Sequence, residues 1–445
     1  MDADLDANAL RRRLGACLQN AELATTEVAL NGYPKGADDA SSDGARRAEL
    51  KFVNETALLL AVSCRAIGPA DDELRAVHGA ICERLSALGR SPETAAAICR
   101  EPHLAIELGV AHLVLTDIGL PDEEFHRLLV EAMDWSLGPR AERPAHGLLE
   151  SEWIRRRYLN PERSRSLVRT LVRRSILSAR LDLLTISRDD LYAFTHALFY
   201  ATDFGAHPAL SQQQSRAVAD YADGAVAWCL DRQDYDLVGE LLLTWPILGM
   251  GFSPTASFAY KVLTEIFDRV GFVPVPDISI SEFSELPSSD RRPYWISATY
   301  HAEYVAGLLF ATLLTRPVES LARRGTGPSP STTIPEEVIR RSPYERHWQS
   351  FYDGQSARDR PALAWMVWWI ALRRCADDGD LTGVAAMAAE LDKPAFCSTG
   401  LSQSAMGIVR RSVAFDLFAR KERLAEMVSN GDANTPSART GEAMS

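Results

Sequence analysis

The 445-residue chain is 46% hydrophobic and 24% charged, an ordinary globular balance that excludes wholesale disorder and leaves ample material for a large core. Its 60 acidic and 48 basic residues give a net charge of −12, which argues against a nucleic-acid partner, because phosphate neutralisation needs a clustered basic surface. No apolar run approaches the roughly 18–20 residues that span a bilayer, and no basic stretch followed by an apolar one opens the chain, so a cytoplasmic protein without a membrane partner is expected.

Arginine supplies 43 of the 48 basic residues, which together with abundant alanine points to a GC-rich bacterial genome. The seven cysteines contain no Cys-x-x-Cys pair and read as small buried hydrophobes.

In chain order, apolar residues recur at helical spacing over Glu55–Ile67, Asp72–Leu88, Leu104–Thr116, Asp122–Trp135, Ser164–Leu177, Arg188–Asp203 and Ser211–Leu230. The same period continues over Tyr235–Leu243, Thr255–Val270, Tyr294–Leu314, Pro361–Cys375, Leu381–Leu391 and Ser402–Phe418. Ser187 ahead of Arg188-Asp189-Asp190 is an N-cap with acids in the first turn; Pro121-Asp122-Glu123-Glu124 and Pro335-Glu336-Glu337 place proline at a helix start. Phe272–Ile280 is β-rich, but two closely spaced prolines make it an extended connector. The predicted class is all-α.

Two joints share a Cys-x-Asp-x-x-Asp rhythm, Cys229 to Asp234 and Cys375 to Asp380, each linking a long helix to a shorter one. This predicts stacked helical hairpins, closed as an α/α toroid or open as a solenoid. Breaks fall at Gly32–Arg46, Gly138–Gly147, Gly271–Pro293 and Arg316–Pro335. They suggest an N-terminal helical portion over residues 1–145, a main α-hairpin portion over 148–430 that can share its core, and a disordered tail over 431–445 rich in Gly, Ser, Thr and Pro.

Two apolar helices carry polar groups. No Lys or Arg occurs between Asp189 and Ser215, yet Tyr192, His196, Tyr200 and Asp203 follow one another on a single helical stripe. Between Arg292 and Arg316 the chain is equally free of basic residues; Ser297, His301 and Tyr304 share one face there, with Trp295 and Tyr300 nearby. Burying such groups without partners is costly, so the stripes must meet either other polar groups or a wet cavity. The bland reading is a hydrogen-bonded core. The functional one is a proton-handling site, with His196 as base or acid, Asp203 as the carboxylate orienting His196 or His301, His301 as a second proton carrier, and Tyr192, Tyr200, Tyr300, Tyr304 and Trp295 as its walls.

Other chemistries find less support. No His-Glu-x-x-His or other converging ligand set is visible, so no metal and no cofactor are expected. Phosphate loops and a Gly-x-Ser-x-Gly elbow are missing. Trp228-Cys229 is faintly similar to a ligand segment of the zinc-binding α/α-toroid lanthionine cyclases, but their Cys-His-Gly segment is nowhere in the chain. The run Arg155-Arg156-Arg157, continuing to Arg174, reads as a solvated face or a seat for an acidic segment or a phosphate. Trp365, Trp368 and Trp369 read as core, with an aromatic pocket wall as the alternative.

The stretch from His196 to Gly205, a long apolar helix ending in Thr-Asp-Phe-Gly, resembles a segment of an uncharacterised actinobacterial all-helical family. That resemblance implies a helical fold, a bacterial origin and an association with specialised metabolism. The resulting expectation is a cofactor-independent tailoring enzyme performing acid–base-assisted cyclisation or addition on a small molecule or ribosomal peptide. The alternative is a non-catalytic helical-repeat scaffold that binds a peptide or a partner protein.

Overall fold

The structure, a computed structural model, describes residues 5–34, 42–135, 143–160, 162, 165–275, 285–317, 330–340, 346–391, 401 and 403–414. The proposed tail over 431–445 and parts of all four predicted breaks lie outside the described residues. Phe272–Val275 has no regular structure, and the rest of that proposed connector is likewise outside.

Among the described residues the chain is helical and contains no strand. The helices are α1 (Ala7–Asn31), α2 (Ser42–Ser63), α3 (Asp72–Gly89), α4 (Pro92–Arg100), α5 (Ala105–Leu108), α6 (Val110–Asp117), α7 (Glu123–Trp135), α8 (Ala145–Ile154), α9 (Ser166–Arg174) and α10 (Arg188–Thr202). They continue as α11 (Gln212–Asp231), α12 (Tyr235–Leu242), α13 (Thr244–Leu248), α14 (Pro254–Val270), α15 (Ser288–Thr315), α16 (Thr333–Arg340), α17 (His347–Asp353), α18 (Ala364–Asp377) and α19 (Leu381–Leu391). Residues 403–414 are also helical.

The local signals act much as their chemistry requires. The Ser187 hydroxyl accepts from the Asp190 amide at 3.1 Å and the Asp190 carboxylate returns to the Ser187 amide, a complete capping box. At α7 the cap is Asp122, which accepts from the Phe125 amide at 2.9 Å, so Pro121 precedes the cap instead of opening the helix. Pro335 likewise falls inside α16, which begins at Thr333.

Helix α1 is absent from the sequence-predicted set. Its buried face includes Leu10, Leu14, Leu18 and Val28 together with Ala9, Cys17, Ala21, Ala24 and Thr25, small residues whose burial shows only once a partner is known. That partner is α15. Arg13 is buried on the same helix and makes a two-pronged ion pair with Asp268, at 2.9 and 2.7 Å.

The two matching joints prove to be the same turn. Gln233 and Gly379 both adopt the left-handed conformation, at φ 58° and 71°. The next amide then reaches back to the cysteine carbonyl: Asp234 to Cys229 at 2.9 Å, Asp380 to Cys375 at 2.8 Å. This is the Schellman closure of a helix C-terminus, and each aspartate then caps the following helix. The joints also touch, since Arg374 holds Asp231 through two hydrogen bonds of 2.5 and 2.8 Å.

Helix α15 is the element around which α1, α2, α12 and α13 pack. Its Leu309, Phe310 and Ala311 are wholly buried, and each large side chain so removed from water contributes roughly 1.5–3 kcal/mol. One hydrophobic cluster runs from Leu10 to Ile408, so the helices before and after residue 145 share a core. A cavity opens within it where α2, α6, α8, α10, α12 and α15 approach one another.

Candidate functional site

The cavity has a volume of about 270 Å³ and is half enclosed. Helix α10 contributes Tyr192, His196, Phe199 and Tyr200; α15 contributes His301, Tyr304 and Val305; α2 contributes Lys51, Asn54 and Glu55. Helix α8 adds His146, Glu150 and Trp153, and α12 adds Glu240. The two polar stripes read from the sequence therefore face one another across the same space.

His196 stacks on the Tyr192 ring at 3.8 Å between centroids. Its Nδ1 lies 3.0 Å from the Tyr192 carbonyl oxygen and 3.7 Å from Glu240. Two acceptors at Nδ1 place the proton there and leave Nε2 as the free base. Burial lowers the His196 pKa, outweighing the opposite pull of Glu240.

His301 is enclosed by carboxylates. Nδ1 donates to Glu55 at 2.9 Å; Nε2 stands 3.3 Å from Asp236 Oδ1 and 3.6 Å from Glu240 Oε1. Burial alone would depress its pKa, but Asp236, Glu55 and Glu240 together raise it well above the usual histidine value. Burial pushes Asp236 up to about 6 against the pull of His301. Glu55 and Glu240 end below the usual carboxylate value because the histidines outweigh their burial.

Glu150 is a different case. It accepts from the Tyr200 hydroxyl at 3.2 Å, and burial raises its pKa to about 7 despite that bond. Such a group holds or releases a proton near neutral pH.

Five predicted residues, Tyr192, His196, Tyr200, His301 and Tyr304, line the cavity. Three do not. Tyr300 is buried in an aromatic cluster with Phe52, Tyr33 and Tyr304, its ring 5.1 Å from that of Phe52. Trp295 packs edge-on against Phe272 at 6.2 Å. Asp203 orients neither histidine. Helix α10 ends at Thr202, and Asp203 takes a left-handed conformation at φ 50°, so the stripe stops one residue short of it. Its carboxylate instead receives Arg65 Nη2 at 2.8 Å, Trp153 Nε1 at 2.8 Å and Arg157 Nη1 at 3.0 Å.

The Thr-Asp-Phe-Gly segment is thus a locked corner. Asp203, Phe204 and Gly205 have φ of 50°, 50° and 85° in succession, a strained run for residues with a Cβ. Phe204 is held by stacking on Phe199 at 5.2 Å, and Arg316 donates to the Gly205 carbonyl. Arg157, from the basic run, also pairs with Asp117 at 2.9 Å.

Over residues 21–311 the chain matches the family described as Domain of unknown function (DUF6895). The chain belongs to that family. Every residue lining the cavity, from Lys51 to Leu308, lies inside the DUF6895 segment, whereas α16–α19 lie beyond it. No curated protein and no solved structure matches the chain. No helix among the described residues is long and apolar enough to cross a membrane.

The carboxylates are what sequence reasoning missed. Asp236 and Glu240 sit one turn apart on α12, a helix buried along its whole length. Like α10 and α15, the stretch from Gln233 to Tyr260 has no Lys or Arg. The criterion that selected those two helices would have selected this one.

Proposed function

We propose that the DUF6895 cavity is an active site for acid–base chemistry on a small polar molecule or a peptide side chain. The observation that supports it is the meeting of His196, Glu150 and Tyr200 in one half-enclosed cavity among otherwise apolar helices. His196, with its proton fixed on Nδ1 by the Tyr192 carbonyl, offers Nε2 as general base. Glu150, poised near 7, is the matching acid, and Tyr200 steers it by hydrogen bonding. Proton transfer by such placed groups accelerates a reaction by roughly 10²–10⁴-fold.

The size of the space favours catalysis over a scaffold role. A cavity of about 270 Å³ admits a small molecule or one side chain, and the polar groups converge inside it instead of spreading over a concave surface. Addition and cyclisation are among the reactions that need a base and an acid but no electron carrier.

The test is turnover of a panel of small amines, hydroxy acids and linear peptides, followed by mass spectrometry. Wild-type turnover should fall at least about 100-fold in both His196→Gln and Glu150→Gln, with helix content and melting temperature retained. A pH–rate limb near 7 should disappear in Glu150→Gln. Unchanged turnover in both folded variants would refute the assignment.

A further inference from the structure

We propose that Asp236, Glu240 and His301 bind a divalent transition-metal ion beside this cavity, which Glu240 and His301 line, through Asp236 Oδ1, Glu240 Oε1 and His301 Nε2. The three atoms lie within 4.8 Å of one another. His301 Nε2 is 3.3 Å from Asp236 Oδ1 and 3.6 Å from Glu240 Oε1. Ligands bound at roughly 2.0–2.2 Å stand about 3.0–3.4 Å apart around a tetrahedral or octahedral ion, so the two separations from His301 Nε2 already lie close to what such an ion requires.

A second observation separates this group from an ordinary buried ion pair. Asp236 Oδ1 and His301 Nε2 are both buried and make no hydrogen bond, although they face each other. Asp236 is only 6% exposed, and a carboxylate oxygen so placed that makes no hydrogen bond is expensive even beside an imidazole.

The remaining polar atoms of the same three side chains are all engaged, and each points its free atom inward. Arg188 donates to Asp236 Oδ2 at 3.1 Å. The Thr195 hydroxyl donates to Glu240 Oε2 at 2.5 Å. His301 Nδ1 donates to Glu55 at 2.9 Å. A carboxylate on the far nitrogen of a histidine fixes its tautomer and aims the other nitrogen at a metal. Three protein ligands at the edge of a cavity leave a coordination position for water or substrate, as catalytic sites do.

Two carboxylates and one imidazole form a mixed N/O set suited to manganese(II), iron(II) or zinc, and ill suited to copper(I), which favours sulfur. The ligands come from two helices, Asp236 and Glu240 on α12 and His301 on α15, which is why no contiguous motif announced them and why the sequence led to an expectation of no metal. The inference does not rest on the acid–base reading, since neither His196 nor Glu150 is among the three ligands.

The test uses the full chain, stripped by dialysis against chelator and titrated with MnCl₂ or ZnCl₂ by calorimetry. One ion per chain should bind, with micromolar or tighter affinity. Asp236→Asn and Glu240→Gln should each weaken binding at least 100-fold, and Glu55→Gln, which acts through His301, about 10–100-fold. Pulsed electron paramagnetic resonance of the manganese form should show coupling to one imidazole nitrogen, lost in His301→Gln. Failure of the wild-type chain to bind either ion at a 1:1 ratio overturns the proposal. So does wild-type affinity in a folded ligand variant, or a manganese spectrum without imidazole coupling. The wild-type titration and spectrum decide the matter even where a variant does not fold. Loss of turnover in His196→Gln with metal binding intact would separate the two readings.

Discussion

Replacement of Asp203 tests whether the Thr-Asp-Phe-Gly corner is structural. Its carboxylate receives Arg65 and Trp153 at 2.8 Å and Arg157 at 3.0 Å. Breaking a buried ion pair costs about 3–5 kcal/mol, but the Arg65 and Arg157 side chains are 24% and 21% exposed and water recovers part of that. Arg157 also keeps Asp117, and Arg65 keeps the residue-203 carbonyl at 3.1 Å. The lost interactions in Asp203→Ala therefore amount to about 2–3 kcal/mol. Alanine in the left-handed conformation adds about 1–2 kcal/mol, for a total near 3–5 kcal/mol. Asp203→Asn tolerates that conformation and keeps an acceptor for Trp153, so its loss should be about 1–3 kcal/mol. Urea unfolding followed by far-ultraviolet circular dichroism reads both variants. An Asp203→Ala midpoint equal to that of wild type, together with lost turnover, would refute the structural assignment and return Asp203 to the chemistry.

Gly205→Ala should destabilise by more than about 1 kcal/mol: the added Cβ would meet Ile247 backbone atoms at 3.0–3.1 Å at a residue with φ +85°. A melting temperature equal to wild type would contradict this. The paired joints predict opposite effects, Gly379→Gln costing about 1–2 kcal/mol and Gln233→Gly neutral or stabilising by less than about 1 kcal/mol; equal losses in urea midpoint would deny their equivalence. Burial raises the Glu303 pKa to about 7, partly opposed by hydrogen bonds from Asn20 and the Val273 amide. Because the unfolded carboxyl ionises near 4.5, its contribution to stability is complete below that pH and declines as pH rises through 7, by up to about 3 kcal/mol. The slope of urea midpoint against pH between 5 and 7 should therefore be shallower in Glu303→Gln, and identical slopes would dismiss this assignment.

The helical class, most helix positions and the two matching joints were legible in the sequence because each depends on local physics. Apolar spacing marks the buried face of α10 or α14, Ser187 caps its own helix, and Cys229-to-Asp234 closes a turn within six residues. His196 and His301 were legible too, because a polar group in a helix without basic residues needs a polar neighbour wherever that helix packs. The identity of the neighbour was not legible. Which carboxylates meet His301 depends on how α2 and α12 pack on α15, which joins residues 55, 236, 240 and 301 across nearly 250 positions of chain. Asp203 shows the converse: seven residues from His196, it reads as the same stripe, until one left-handed residue turns it toward Arg65 and Arg157. Periodicity assigns a residue to a face only while the helix lasts. The choice of charge partner is made by tertiary packing, because burial makes an unpaired charge costly and the nearest compensating group in space need not be near in sequence.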